Sequence, residues 1–211
     1  MHDNNAEGSS AELMVDLIIS LDGYASAEGW PGFWGLEGPE YLAWLGEEGE
    51  KGYTLLLGSR TYRLMSGMSE EAAAEDSGFS EAEGASLTGL AAVPKIVFSS
   101  TLESPLTWPN CELVSGDAVE AVREMKRNRP GPFSTLGSLS LCRSLLSAGL
   151  VDRFRLVVFP VITGVTGRER IYDGYPDISL EMVDSRIFDG RLQLLEYVPT
   201  VLDGPPGTGS R

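Results

Sequence analysis

The stretch Phe133-Ser134-Thr135-Leu136-Gly137-Ser138-Leu139-Ser140-Leu141-Cys142-Arg143-Ser144-Leu145-Leu146 decides the reading of this chain. A short apolar strand ends in Gly-Ser, and a helix with leucines on one face follows at once. Such a junction aims backbone N–H groups and the positive end of a helix at a ligand above the sheet, an arrangement suited to phosphate. Two more junctions repeat the chemistry, Leu57-Gly58-Ser59-Arg60-Thr61-Tyr62 and Val97-Phe98-Ser99-Ser100-Thr101. One turn of this kind says little. Three of them point to an extended anionic ligand laid across a sheet edge, and a dinucleotide suits that description best.

Working outward, strand-like and helix-like segments alternate. Leu13 to Ser20 reads as a buried strand, followed by a Gly-rich loop through Gly38. Pro39 is placed to open a helix running to about Glu48. Tyr53 to Gly58, Lys95 to Ser99, Cys111 to Ser115 and Phe133 to Gly137 read as short strands, and Phe154 to Val161 as a strongly β-branched one. Helices are expected from Thr61, over 117–127 and over 140–148. Two closing strands, about 180–187 and 191–198, flank Asp189-Gly190, a hairpin signal. Alternation of this kind predicts a mostly parallel sheet with helices on both faces, and ligands at the carboxyl ends of its strands. Residues 66–92 hold six acidic and no basic side chains. They read either as a solvated, partly helical insertion or as a lid.

The 211 residues fit one domain, 12–202, between polar or Gly/Pro-rich tails at 1–11 and 203–211. A formal charge of −15 argues against nucleic acid or an anionic membrane as partner. Any phosphate must therefore be held by local amides and arginines against the global field. The single histidine, His2, excludes His-dependent triads and His-rich metal sites, and Cys111 and Cys142 match no metal spacing. Both thiols are expected to be reduced and buried, in a cytoplasmic protein.

The order of motifs resembles the dihydrofolate reductase superfamily, in the branch of the reductase half of the bacterial riboflavin-pathway deaminase-reductase, the RibD C-terminal-like branch. The residues that carry it are Ser20-Leu21-Asp22-Gly23-Tyr24, Leu57 to Tyr62, Pro94 to Leu102, Gly137 to Leu141, Leu145 to Asp152, and Phe159-Pro160-Val161. The resemblance implies a three-layer α/β fold with a mixed, mostly parallel sheet of about eight strands and a C-terminal antiparallel hairpin. It also implies NADPH binding, hydride transfer to a small molecule, and a homodimer formed through the last two strands and the 139–150 helix. By the same likeness, Gly58, Ser59, Arg60 and Thr61 meet the pyrophosphate and adenosine side. Ser99 and Ser100 face the 2′-phosphate, and Gly137, Ser138, Leu139, Ser140 and Leu141 cradle the pyrophosphate. Ser138 or Ser140 is equally readable as a plain helix N-cap.

Three departures bear on the site. Ser59 stands where the family commonly has Arg, so the phosphate clamp is expected at Arg60. Leu139 stands where a small residue is usual, and a bulky side chain there would narrow the approach to the cofactor. The segment Thr163 to Arg168 is longer than the usual turn.

For substrate, folate reductases place a carboxylate at the start of the first helix, where this chain has Tyr41. Glu40, one residue earlier, is turned away by about 100°, so dihydrofolate is not the expected substrate. Asp22 is the candidate catalytic carboxylate, with a plain Asp-Gly turn as the bland reading. Asp16, inside the first strand, needs a partner if it faces inward. Tyr24, Tyr41, Trp30 and Trp34 are the candidate substrate contacts, the two tryptophans stacking on a flat conjugated ring or lying in a dimer contact. The sequence thus reads as an NADPH-dependent reductase of a small planar C=N, C=O or activated C=C compound. A non-catalytic ligand-binding homologue and a flavin-binding (FMN) reductase are the alternatives.

Overall fold

The computed structural model describes residues 10–29, 35–74, 78–79 and 81–207. In chain order the elements are β1 (Leu13–Ser20), β2 (Tyr24–Ala27), α1 (Pro39–Gly49), β3 (Thr54–Gly58), α2 (Ser59–Ala72), α3 (Glu81–Ala92), β4 (Lys95–Phe98) and β5 (Cys111–Val114). They continue with α4 (Ala118–Asn128), β6 (Phe133–Thr135), α5 (Leu139–Ser147), β7 (Arg153–Phe159), β8 (Gly167–Arg170), β9 (Ile178–Phe188) and β10 (Leu192–Val201).

One eight-stranded sheet runs in the order β5-β4-β3-β6-β1-β7-β10-β9. Its first six strands are parallel, and β10 pairs antiparallel with β7 and β9. This is the expected α/β architecture, parallel sheet and closing hairpin together. A separate two-stranded ribbon, β2 with β8, joins the segment after β1 to the long 163–168 segment.

The period of two along β1 divides the molecule into layers. Leu13, Val15, Leu17 and Ile19 face one side, where Val122 and Met125 of α4 and Leu141, Cys142, Leu145 and Leu146 of α5 complete the core. The other face carries two smaller clusters. Tyr41 and Trp44 of α1 pack with Phe159, Phe188, Leu192 and Leu194 over β7 and the hairpin. Tyr62 and Met65 of α2 and Leu87 of α3 pack with Leu57, Val97 and Trp108 over β3 and β4.

The acidic 66–92 segment is therefore not merely a solvated insertion: it completes α2 and supplies α3, whose Leu87 is buried. Lys95 fixes the end of α3, its buried ammonium donating to the carbonyls of Leu90, Ala91 and Val93. Both cysteines are free. Burial pushes the Cys142 thiol up to about 12, whereas Cys111 is only half-buried, contrary to expectation.

The start of α1 is organised from the far end of the chain. Asp189 and Gly190 both take positive φ, 52° and 65°, closing the β9–β10 hairpin. The Asp189 carboxylate then accepts the N–H groups of Glu40 (3.1 Å) and Tyr41 (3.2 Å), while the Glu40 carboxylate accepts the Asp189 N–H at 2.5 Å. A Cβ at position 38 would lie 2.2 Å from the Asp189 carboxyl carbon, so any side chain there displaces the carboxylate. Residues 203–207 follow β10, and Pro206 lies beside Tyr172, Tyr175 and Leu180.

Candidate active site

The three strand junctions stand side by side, because β4, β3 and β6 are neighbours and Gly58 pairs in register with Phe98. At the β6 end of the row, Gly137 and Ser138 both occupy the left-handed region, φ 55° and 60°. A serine held there costs about 1 kcal/mol or more, a strain that clusters at functional sites. The turn aims the Ser138 hydroxyl across to the next helix, where it accepts the Gly58 N–H (2.8 Å) and donates to Thr61 Oγ1 (2.8 Å).

Ser138 is thus the residue before α5 but does not cap it with its side chain; it ties the start of α5 to the start of α2. Neither helix has a side-chain cap, and neither carries an acidic residue in its first turn. The other helices differ: α1 begins with Glu40, α3 with Glu81 and Glu83, and α4 with Glu120 and a capping Asp117. In a chain of 31 acidic residues, two adjoining helix starts are left free of acids, with their first amides available to an anion. Leu139, expected to narrow the approach to the cofactor, packs partly buried against the α4–α5 core.

Arg60, on the first turn of α2, reaches Glu169 of β8 in an exposed ion pair. Ser99 Oγ accepts the N–H groups of Thr101 and Leu102, both at 3.1 Å, so it fixes the turn after β4, and Ser100 follows it in that turn. At the end of β1, the Asp22 carboxylate accepts Ser20 Oγ (2.6 Å), Thr163 N (3.2 Å) and Gly164 N (2.9 Å). Burial pushes this carboxyl up, but the Ser20, Gly164 and Thr163 hydrogen bonds outweigh it and hold it at about 2. Asp22 is ionised throughout the neutral range and clasps the 163–164 loop. Tyr24, on β2, lays its ring on the Gly167 backbone, where a Cβ would come within 2.8 Å of it. Trp30 and Trp34 lie outside the described residues.

The structure also pairs residues that were read singly or not at all. Asp16 stands opposite Arg155 in the β1–β7 register, and the guanidinium donates through Nε to Oδ1 (3.1 Å) and through Nη2 to Oδ2 (2.7 Å). Nη1 reaches Glu48 of α1 at 2.6 Å, and Trp44 stacks 4.8 Å from the guanidinium carbon. Burial acts against the charge on Arg155, but Asp16 and Glu48 prevail and hold its pKa well above the ordinary value. Tyr41 is 1 % exposed, and its hydroxyl has no hydrogen-bond partner among the described residues. Burial first, then the charges of Asp16 and Glu37, push that phenol far up.

No group of three or more His, Cys, Asp or Glu placed to hold a metal occurs among the described residues. Nor is any described helix long and apolar enough to cross a membrane. A groove of about 320 Å³ between Tyr172, Tyr175, Ile178 and Leu180 opens elsewhere, beside Leu146 and Phe154 of the α4–α5 core. Asp177 is the only charged residue lining it, so it does not suit an anion.

Comparison with known families gives a match to the RibD C-terminal domain over residues 11–194. The chain belongs to the RibD C-terminal domain family. Among individual relatives, YyaP, an uncharacterized protein of Bacillus subtilis strain 168, is 31% identical over 84 residues. That match spans 40% of this chain and 44% of YyaP, so it covers less than half the length of the relative. Solved structures extend the likeness at the level of fold. A Shewanella protein assigned to riboflavin biosynthesis superposes with a TM-score of 0.66 at 18% identity, covering 90% of this chain and 99% of that one.

The bifunctional deaminase/reductase of Thermotoga maritima gives 0.61 at 14% identity, over 90% of this chain and 57% of that one. Dihydrofolate reductase from Enterococcus faecalis, solved with NADP(H), gives 0.56 at 14% identity, over 89% of this chain and 96% of that one. At the level of fold, the likeness to the riboflavin-pathway and dihydrofolate reductase structures extends over about nine-tenths of the chain. The β2–β8 ribbon and the Asp16–Arg155 pair were not anticipated from the sequence.

Proposed function

We propose that this RibD C-terminal domain is an NADPH-dependent reductase of a small planar unsaturated compound. The observation that carries the reading is the pair of acid-free, uncapped helix starts of α2 and α5, locked together by Ser138. The amides of Ser59, Arg60 and Thr61 on one side, and of Leu139, Ser140 and Leu141 on the other, suit a pyrophosphate. Gly58 and Gly137 allow the backbone to come close there. Arg60 exchanges Glu169 for the adenosine 2′-phosphate, assisted by the hydroxyls of Ser99 and Ser100.

When bound, NADPH supplies the hydride, and little acid–base chemistry is asked of the protein. Asp22, ionised, accepts a hydrogen bond at the edge of the site rather than donating a proton. Tyr24, Trp30 and Trp34 are the proposed contacts of a flat substrate, whereas Tyr41 is sealed in the core; FMN is the less favoured occupant. The relatives named for riboflavin biosynthesis and dihydrofolate reduction support a reductase; Tyr41 in place of a helix carboxylate disfavours dihydrofolate.

The edge strand β9 exposes Leu180, Met182 and Ile187, a surface suited to a second copy in a homodimer. Light scattering on the purified protein should return twice the chain mass, and a monomer would end that part of the proposal.

Titration should quench or shift NADPH fluorescence, and Arg60→Ala should weaken NADPH several-fold more than NADH. Equal loss for both would remove Arg60 as the 2′-phosphate ligand. Saturable binding with no oxidation on any acceptor would leave a nucleotide-binding homologue and no reductase.

A further inference from the structure

Among the described residues, the helices cover one part of the sheet only incompletely. α1 packs over β7 and the hairpin, and α2 and α3 pack over β3 and β4. β1 and β6 lie between them. On that face of β1, Met14 and Ser20 are buried at the ends, while Ile18 is half-buried and the Asp16 side chain retains 27 % exposure. Asp16 and Ile18 are thus the partly open positions of that face, at the floor of the gap between the helices. The cleft adjoins the nucleotide groove, since β6 carries the Gly137–Ser138 turn at its carboxyl end.

Stability does not explain an arginine–carboxylate pair in this position. Two charges taken into a sheet face lose hydration, and an apolar pair of similar volume is often as stable or more so. Arg155 is nearly sealed, 5 % exposed at its side chain, and Glu48 behind it is 10 % exposed. Asp16 alone of the three opens to the cleft. An ionised carboxylate has about four acceptor positions, and the Arg155 fork takes one on each oxygen. The remaining positions are held in place by that fork, with the unpartnered, buried Tyr41 hydroxyl of α1 nearby.

We infer that Asp16, held in place by Arg155, is the specificity-determining residue of the substrate cleft, accepting hydrogen bonds from an N–H-bearing edge (an amide, amidine or ring amine) of the substrate. The inference deepens the reductase reading and rests on it for calling that ligand a substrate. Arg155 acts as a positioning residue: its bidentate grip fixes the plane of the carboxylate.

The test uses two neutral flat probes of one shape, benzamide with N–H donors and acetophenone without, titrated into the cofactor-free protein by NMR. The native protein should bind benzamide at least five-fold more tightly than acetophenone, with the Asp16 and Ile18 amide resonances shifting. Asp16→Asn should abolish that ratio while NADPH binding persists. Glu48→Gln, which removes the other carboxylate on the same arginine, should retain it. Equal affinity for the two probes, an unchanged ratio in Asp16→Asn, or loss of the ratio in Glu48→Gln overturns the inference. Should Asp16→Asn fail to fold, the native resonances decide: benzamide shifts confined to residues away from Asp16 and Ile18 also overturn it. Failure of NADPH to bind defeats the reductase reading and leaves the probe ratio standing as a separate result.

Discussion

The start of α1 and the starts of α2 and α5 solve the same physical problem in opposite ways. Every helix begins with amides that lack intrahelical partners. At α1, Asp189 arrives from the hairpin turn to accept two of them, and Glu40 returns the bond. At α2 and α5 no carboxylate caps the helix, although the chain is rich in them, and Ser138 satisfies Gly58 rather than its own helix. A sealed helix start serves the fold. An unsealed pair, strained at Gly137–Ser138 and with no acid in either first turn, gives up stability where an anion can supply it.

The contrast predicts opposite consequences for adding and removing carboxylates. Ser140→Asp places an acid in the first turn of α5, which should raise stability by about 0.5 kcal/mol yet weaken NADPH about tenfold or more by like-charge opposition. Loss of stability, or undiminished NADPH affinity, would break the distinction between the two kinds of helix start. Asp189→Ala should cost about 1 kcal/mol in urea denaturation and leave NADPH affinity unchanged. Gly38→Ala should cost at least as much, because its Cβ displaces the same carboxylate. If either substitution reduced NADPH affinity as far as Ser140→Asp, the α1 start would belong to the nucleotide site.

The smallest effect concerns pH. Asp22 is held at about 2, below its unfolded value of about 4. Its contribution to stability is therefore complete above pH about 4 and is lost as pH falls toward 2. Asp22→Asn should flatten that part of the acid limb, read as the urea midpoint at pH 7 and pH 3; an unchanged slope would mean that the loop clasp is immaterial.

What the sequence disclosed follows from how locally each feature is encoded. β1 and β7 announce themselves as apolar β-branched runs, and Asp189-Gly190 marks its hairpin. The strand junctions were legible because Gly-Ser followed by leucines at helical spacing is a local pattern. The β2–β8 ribbon was not, since Tyr24–Ala27 and Gly167–Arg170 are short, mixed in polarity and far apart in sequence. Asp16 could be seen as an inward carboxylate in need of a partner. That the partner is Arg155 depends on a parallel register between residues 139 apart, which no local pattern states. That Leu139 packs partly against the core depends on the turn before it, which no local pattern states.

The Asp189 cap has a further consequence, for the order in which the molecule can be completed. The residue that seals the first helix lies 149 positions after Glu40, almost at the end of the chain. During synthesis the early strands can collapse as they emerge, but the wall of the cleft that α1 forms must wait for the last hairpin. A nascent or truncated polypeptide lacking β9 and β10 would present the sheet and the nucleotide groove with one side of the substrate chamber still unfastened.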